Sequence, residues 1–131
     1  LHAMRCSCTI EREMLFQPFL FLTIHSTAPL PSIVHDFAEQ CLQACYGLIY
    51  LFDIQHRHHG SWLIARDAFR CALCILAASR SGKIVMRQDW CHCIEMAISM
   101  IDFWGKEAVD LERLAKILVT LYQETDDTSQ T

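Results

Sequence analysis

Residues 71–78 read Cys-Ala-Leu-Cys-Ile-Leu-Ala-Ala, and a helix built from them is apolar on every side. Such a helix has no face suited to water, so other elements must enclose it. The rest of the chain shows what those elements are. Apolar residues recur with period 3.6 in segment after segment, whereas period-2 alternation bounded by turn dipeptides does not occur. The sequence therefore predicts an all-α fold, a bundle of about five helices with the 71–78 run at its centre.

The first helix is expected from about Thr9, a plausible N-cap, through Ile10, Met14 and Leu15. Pro18 should break or kink it, and Phe19–Leu22 continue its apolar face. His25 to Ser32, with Pro29 and Pro31, reads as a linker, because each proline pushes its predecessor out of helical geometry. Ser32 caps a second helix with Ile33, Phe37, Cys41, Ala44, Cys45, Leu48, Ile49 and Phe52 on one face and Asp36, Glu39, Gln40 and Gln43 on the other. That helix is expected to end in a polar loop around His56 to Gly60. Ser61 caps the third, in which Cys71, Leu73, Cys74 and Leu76 should be almost inaccessible.

After a turn at residues 80–83, the fourth helix sets Trp90, Ile94, Ala97, Ile98, Ile101 and Trp104 against Glu95, Ser99 and Asp102, and Gly105 ends it. The fifth presents Ala108, Leu111, Leu114, Ala115, Leu118 and Tyr122, with Asp110, Arg113, Lys116 and Gln123 to solvent. The organisation read from this pass is a disordered N-terminal edge over 1–8, a helical domain over 9–123 and a flexible polar tail over 124–131.

Composition removes several function classes. With 53% hydrophobic and 20% charged residues the chain is too apolar for disorder, and its 131 residues suit one core. The run Cys71–Ser79 is about nine residues, against roughly 20 for a bilayer span. A net charge of −4 with eleven scattered Lys and Arg residues argues against direct nucleic-acid contact. Arg80, Lys83 and Arg87 come nearest to a basic patch, but they flank Gly82, where charge compensation at a helix C-terminus explains them.

Eight cysteines sit mostly within apolar helical pattern and no cleavable signal peptide precedes them, which points to reduced thiols in a cytosolic or nuclear protein. Cys71 and Cys74 share a helical face that suits a metal or a redox couple. The pattern around them is apolar, with no basic neighbour evident and no βαβ context, so packing is the preferred reading. In Cys91-His92-Cys93 the two thiols point roughly 200° apart on a helix. His56, His58 and His59 are explained as a solvated turn, and Cys6-x-Cys8 lacks the spacing of a zinc cluster.

No glycine-rich phosphate loop or nucleophile elbow is present, and Asp126-Asp127 lies in the polar tail. The expectation is a non-enzyme without catalytic, cofactor-binding or metal-ligating residues. Phe69, Trp90, Met96, Met100, Phe103 and Trp104 are first of all core candidates, and second the lining of an apolar ligand pocket.

Taken in order, several landmarks resemble the C-terminal half of the regulatory, or middle homology, region of fungal binuclear zinc-cluster transcription factors. They are Gln17-Pro18-Phe19-Leu20, the small-residue helix Ala38–Cys45, Trp62, Phe69, the run Ala72–Ala78, then Ile98–Trp104 and Ala115–Leu121. Gln17 stands where that family usually has arginine. The resemblance implies a piece of a nuclear regulatory domain that modulates transcription through protein contacts, with the rest of its own domain among its partners and a small apolar metabolite as effector. Zinc would belong only to a DNA-binding segment with a six-cysteine cluster, which this sequence does not contain. A stand-alone helical module for lipid or peptide is the alternative, and a small helical enzyme a third reading.

The beginning Leu1-His2-Ala3, without an initiator Met, fits an excised segment. An incomplete domain should leave an apolar face bare, and Phe16, Phe19, Phe21 and Leu22 are the residues expected on it, without partners.

Overall fold

The computed structural model describes the backbone of residues 2–59 and 62–129 and the side chains of residues 8–53 and 64–125. Five helices follow one another: α1 (His2–His25), α2 (Ser32–His59), α3 (Trp62–Ser81), α4 (Trp90–Gly105) and α5 (Val109–Ser129). No strand occurs among the described residues. The fold is all-α, and α3 occupies the place its sequence demands. It alone among the described helices contacts all four others. Cys71, Ala72, Ile75 and Ala78 are fully enclosed, and Cys74 and Leu76 nearly so. Leu73 departs from expectation: it is only partly buried, because it faces a cleft beside α1.

Helix bounds differ from the expected ones at several points. α1 begins at His2 rather than near Thr9, and α5 continues to Ser129 rather than stopping near Gln123. α2 runs on to His59, where a polar loop was expected; the side chains of His56, His58, His59 and Trp62 lie outside the described residues. Pro18 does not end α1. It sits on the exposed side, where the carbonyl left without its usual N–H partner can be hydrated.

The helix faces are turned slightly from those read off the periodicity. On α1, Met14 and Leu15 point outward, while Glu13, Leu20 and Thr23 are buried. Ile33 of α2 is exposed and Val34 takes its place inside. The buried line of α4 is Cys93, Ile94, Ala97, Met100 and Ile101, with Trp90, Ile98 and Trp104 at its margin. α5 agrees with its pattern: Leu111, Ala115 and Leu118 are buried, and Asp110, Arg113, Lys116 and Gln123 are exposed.

Two of the four residues expected on a bare face of α1 have found partners. Phe16 stacks on Phe37 of α2 at 5.0 Å, and Phe19 meets the same ring at 4.8 Å, so these aromatics lock the α1–α2 hairpin. Phe21 and Leu22 remain exposed, together with Met14 and Leu15. Residues 14, 15, 18, 21 and 22 follow helical i, i+1, i+4, i+7, i+8 spacing, so the exposed apolar stripe is real but rotated from the expected one.

The connection between α3 and α4 is secured by polar contacts. Gly82, at φ +67°, supplies the left-handed residue that ends α3. Lys83 donates to the carbonyls of Ile24 and Ser26 at 2.9 and 2.6 Å, so its charge compensates the C-terminus of α1 rather than that of α3. Arg87 lies over the Tyr46 ring, 4.6 Å from its centroid. Tyr50 Oη donates to Asp89 Oδ2 at 2.7 Å, and Arg87 donates to the same oxygen at 3.0 Å.

The Tyr50 bond is the largest influence holding the Asp89 carboxyl below its ordinary value, with burial opposing and Arg87 assisting. A depressed folded pKa contributes stability that is complete above the unfolded value and is lost as pH falls through the folded one. Tyr50→Phe should accordingly lower the melting temperature at neutral pH by an amount that shrinks once acid drops below the ordinary aspartate range. A difference unchanged through acid would mean that Tyr50 stabilises the fold otherwise than through the Asp89 carboxylate.

Candidate functional site: thiols and a carboxylate beneath an apolar cleft

Helical spacing assembles a site that no single stretch of sequence displays. Cys41 and Cys45 are four apart on α2, and Cys71 and Cys74 three apart on α3, so each pair shares one helical face. The helices pack with these faces toward each other and all four thiols are buried. From α1, Glu13 enters the same space and is fully buried.

The ligand atoms of Glu13, Cys41 and Cys45 lie within 4.8 Å of one another. Cys74 Sγ is 3.8 Å from Glu13 Oε1, and Cys41 Sγ is 3.6 Å from the Glu13 carbonyl oxygen. The Cys41, Cys71 and Cys74 thiols, together with burial, push the Cys45 thiol well above its ordinary value.

Polar partners surround the cluster. Arg70 Nε donates to Glu13 Oε2 at 3.1 Å, and Arg70 Nη1 to Asp67 Oδ1 at 2.8 Å. Gln17 Nε2 donates to Cys74 Sγ at 3.5 Å. These contacts correct the expectation that Cys74 lacks a basic neighbour, since Arg70 comes within electrostatic reach of it. Burial pushes the Glu13 carboxyl up, with Arg70 opposing. Contacts from Cys41 and then Cys45 hold the Cys74 thiol down, against burial and with help from Gln17 and Arg70.

Cys74 is also part of the wall of an open cleft of about 380 Å³ between α1, α3 and α5. Phe21, Leu73, Leu76, Ala77 and Leu121 make most of the lining, and Gln17, Arg70 and Arg80 supply the polar groups. Arg70 Nη2 is buried and has no hydrogen-bond partner among the described residues. Arg80 reaches Glu124 only at 3.9 Å, with both side chains about half exposed.

The six residues first singled out for a pocket are distributed otherwise. Phe69 packs against the core from α3, and Met100 is inside it. Trp90 meets Tyr122 edge-on at 6.3 Å. Phe103 and Trp104 touch each other at 5.5 Å, and Phe103 is exposed. Met96 lines a shallow groove with Tyr50, Asp53, His92, Glu95 and Ser99. Cys93 is buried, Cys91 half-buried and His92 exposed, so this triplet diverges as helical geometry requires. Cys8 is exposed, and the side chain of Cys6 lies outside the described residues.

Periodicity had assigned the thiols to the core, which is correct as far as burial goes. It could not bring α1, α2 and α3 into register, and it did not single out Glu13. The one available signal was Glu13 itself, a carboxylate four residues before Gln17 and seven before the buried Leu20, hence on the same face.

No family model, no curated protein and no solved structure matches the chain. None of the helices described is long and apolar enough to cross a membrane.

Proposed function

We propose that this chain is a non-catalytic regulatory module that binds a small apolar acid in the cleft between α1, α3 and α5. The observation that carries the reading is the composition of the cleft: an apolar wall about 380 Å³ in extent, with two arginines and one glutamine among its lining residues. That volume lies within the usual range for small-molecule sites, about 300–1,000 Å³, and such sites pair apolar walls with a few convergent polar groups. The buried Nη2 of Arg70 is a donor that a carboxylate can satisfy.

The resemblance to the regulatory region of fungal zinc-cluster factors gives this binding a purpose. In that setting the module works in the nucleus as part of a longer regulatory domain and passes ligand occupancy to protein partners. The exposed stripe of Met14, Leu15, Phe21 and Leu22 is the surface best suited to such contacts. Phe21 belongs both to this stripe and to the cleft, which would let occupancy alter the surface.

Titration calorimetry with decanoate and decanol tests the reading. Decanoate should bind and decanol should bind at least about tenfold more weakly, the ratio a charge-assisted hydrogen bond supports. Arg80→Gln, a surface change, should erase much of that preference. Equal affinity for acid and alcohol, or binding of neither, would refute it. Fused to a heterologous DNA-binding domain, the chain should make a reporter respond to the acid, and the Arg80→Gln fusion should not.

A further inference from the structure

The thiol cluster has a property that packing alone leaves unexplained. A cysteine can fill a core as a small hydrophobe, and four of them together would then be unremarkable. A fully buried carboxylate at the same spot is different, because burying a charge costs far more than burying a methyl group unless it is matched. Arg70 matches only one oxygen of Glu13. The other, Oε1, faces Cys74 Sγ at 3.8 Å, a weak donor at a long distance. The molecule thus holds a half-satisfied carboxylate against sulfur atoms on two neighbouring helices.

We propose that Cys41, Cys45, Cys74 and Glu13 form a zinc site, with Cys71 packed beside it. Zinc is four-coordinate in structural sites and binds thiolate at about 2.3 Å, which sets sulfur-to-sulfur spacings near 3.7 Å. Three of the ligand atoms already lie within 4.8 Å of one another, and the fourth is 3.8 Å from Glu13 Oε1. Closing the tetrahedron requires the Cys74 thiol, which lies outside that set of three, to move toward Cys41 and Cys45. The i, i+4 spacing on α2 and the Glu13 position on α1 hold the donors on rigid scaffold.

The donor set selects the ion. Three sulfurs and one carboxylate oxygen suit zinc, which accepts both, whereas magnesium and calcium require oxygen shells. Copper(I) favours soft sulfur ligands and gains little from the carboxylate. Each ligand binds in its deprotonated form, so the protons that these thiols and the carboxyl carry go to solvent. Arg70, held on Glu13 Oε2, offsets part of the negative charge and orients the carboxylate toward the ion. The ion has a route in, since Cys74 and Gln17 both line the cleft. This site does not depend on the cleft binding an acid, and Arg80→Gln should leave it intact.

Cobalt(II) is the probe. Added to the reduced, metal-free 131-residue chain, it should saturate at one equivalent with thiolate-to-cobalt charge-transfer absorption and the d–d bands of a tetrahedral centre, and zinc should displace it. Cys41→Ala, Cys45→Ala and Cys74→Ala should each weaken zinc by more than about 100-fold, and Glu13→Gln by about 10–100-fold. Cys8→Ala and Cys91→Ala should change nothing.

Because a core variant can fail by misfolding, a second measurement uses the unaltered chain. In mild denaturant, where the buried thiols react through local opening, zinc should slow alkylation of Cys41, Cys45 and Cys74, read residue by residue by mass spectrometry, while Cys8 and Cys91 react as before. Absence of tetrahedral cobalt bands with the thiols fully reduced overturns the proposal. So does zinc binding that survives Cys41→Ala but not Cys91→Ala, or alkylation indifferent to zinc.

Discussion

Arg70→Ala is expected to destabilise the metal-free fold by about 3 kcal/mol at neutral pH, the loss typical of stranding one member of a buried ion pair. The reasoning starts from burial. Glu13 is fully enclosed, and its ion-pair partner is Arg70, whose side chain is 29% exposed. Removing the guanidinium leaves Glu13 three poor choices: a desolvated charge, a proton taken up at neutral pH, or a local opening of α1. The pH dependence tells them apart. Burial already places the Glu13 carboxyl above its ordinary value, and Arg70 is the main influence opposing the rise. Without Arg70 the folded value climbs further.

A group whose folded pKa is raised contributes stability that is complete below the unfolded value and lost as pH rises through the folded one. The Arg70→Ala deficit, measured by denaturant unfolding, should therefore be large at pH ~8 and narrow steadily toward pH ~5. The double change Glu13→Leu with Arg70→Met should recover most of the loss, because replacing both charges by apolar groups removes the desolvation problem. A deficit independent of pH would show that Arg70 acts through its packing on α3 and not through Glu13.

Most of the fold was legible before any coordinates, and the reasons are local. The 71–78 run had to be central because no orientation of it suits water, and the two prolines at 29 and 31 had to separate α1 from α2. Gly82 and Gly105 marked where α3 and α4 end. What could not be read was the rotation of each helix. Met14 and Leu15 look like core residues and face outward, and Glu13 looks like surface and faces inward, because the choice between adjacent faces is made by Arg70 of α3, 57 positions away. Pro18 misled for a similar reason: a proline is disruptive inside a buried helix face and tolerable on an exposed one, and sequence alone does not say which face it occupies. The site suffered most. Each cysteine was visible, but a cluster contributed by three helices exists only once their register is known.

Phe52→Ala is expected to cost about 3–5 kcal/mol, equivalent to a fall of roughly 10–20 °C in melting temperature, while Phe103→Ala should cost less than about 1 kcal/mol. The two residues are the same type, each within a helix, and differ in what surrounds them. Phe52 is 1% exposed and belongs to the core cluster that also contains Leu48, Ile49 and Ala65, so deleting its ring removes the transfer energy of the side chain and leaves a void the neighbours cannot close. Phe103 is 53% exposed and meets Trp104 edge-on, so truncation forfeits far less burial than at Phe52. The same pair discriminates between stability and binding. Phe52 lies away from the cleft of Phe21, Leu73 and Leu121, so any effect of Phe52→Ala on decanoate affinity should track unfolding and vanish at low temperature, where the variant is folded. Comparable losses for the two phenylalanines would mean that Phe103 is covered in solution, as it would be if a second copy of the chain or a missing partner packed on the α4 surface.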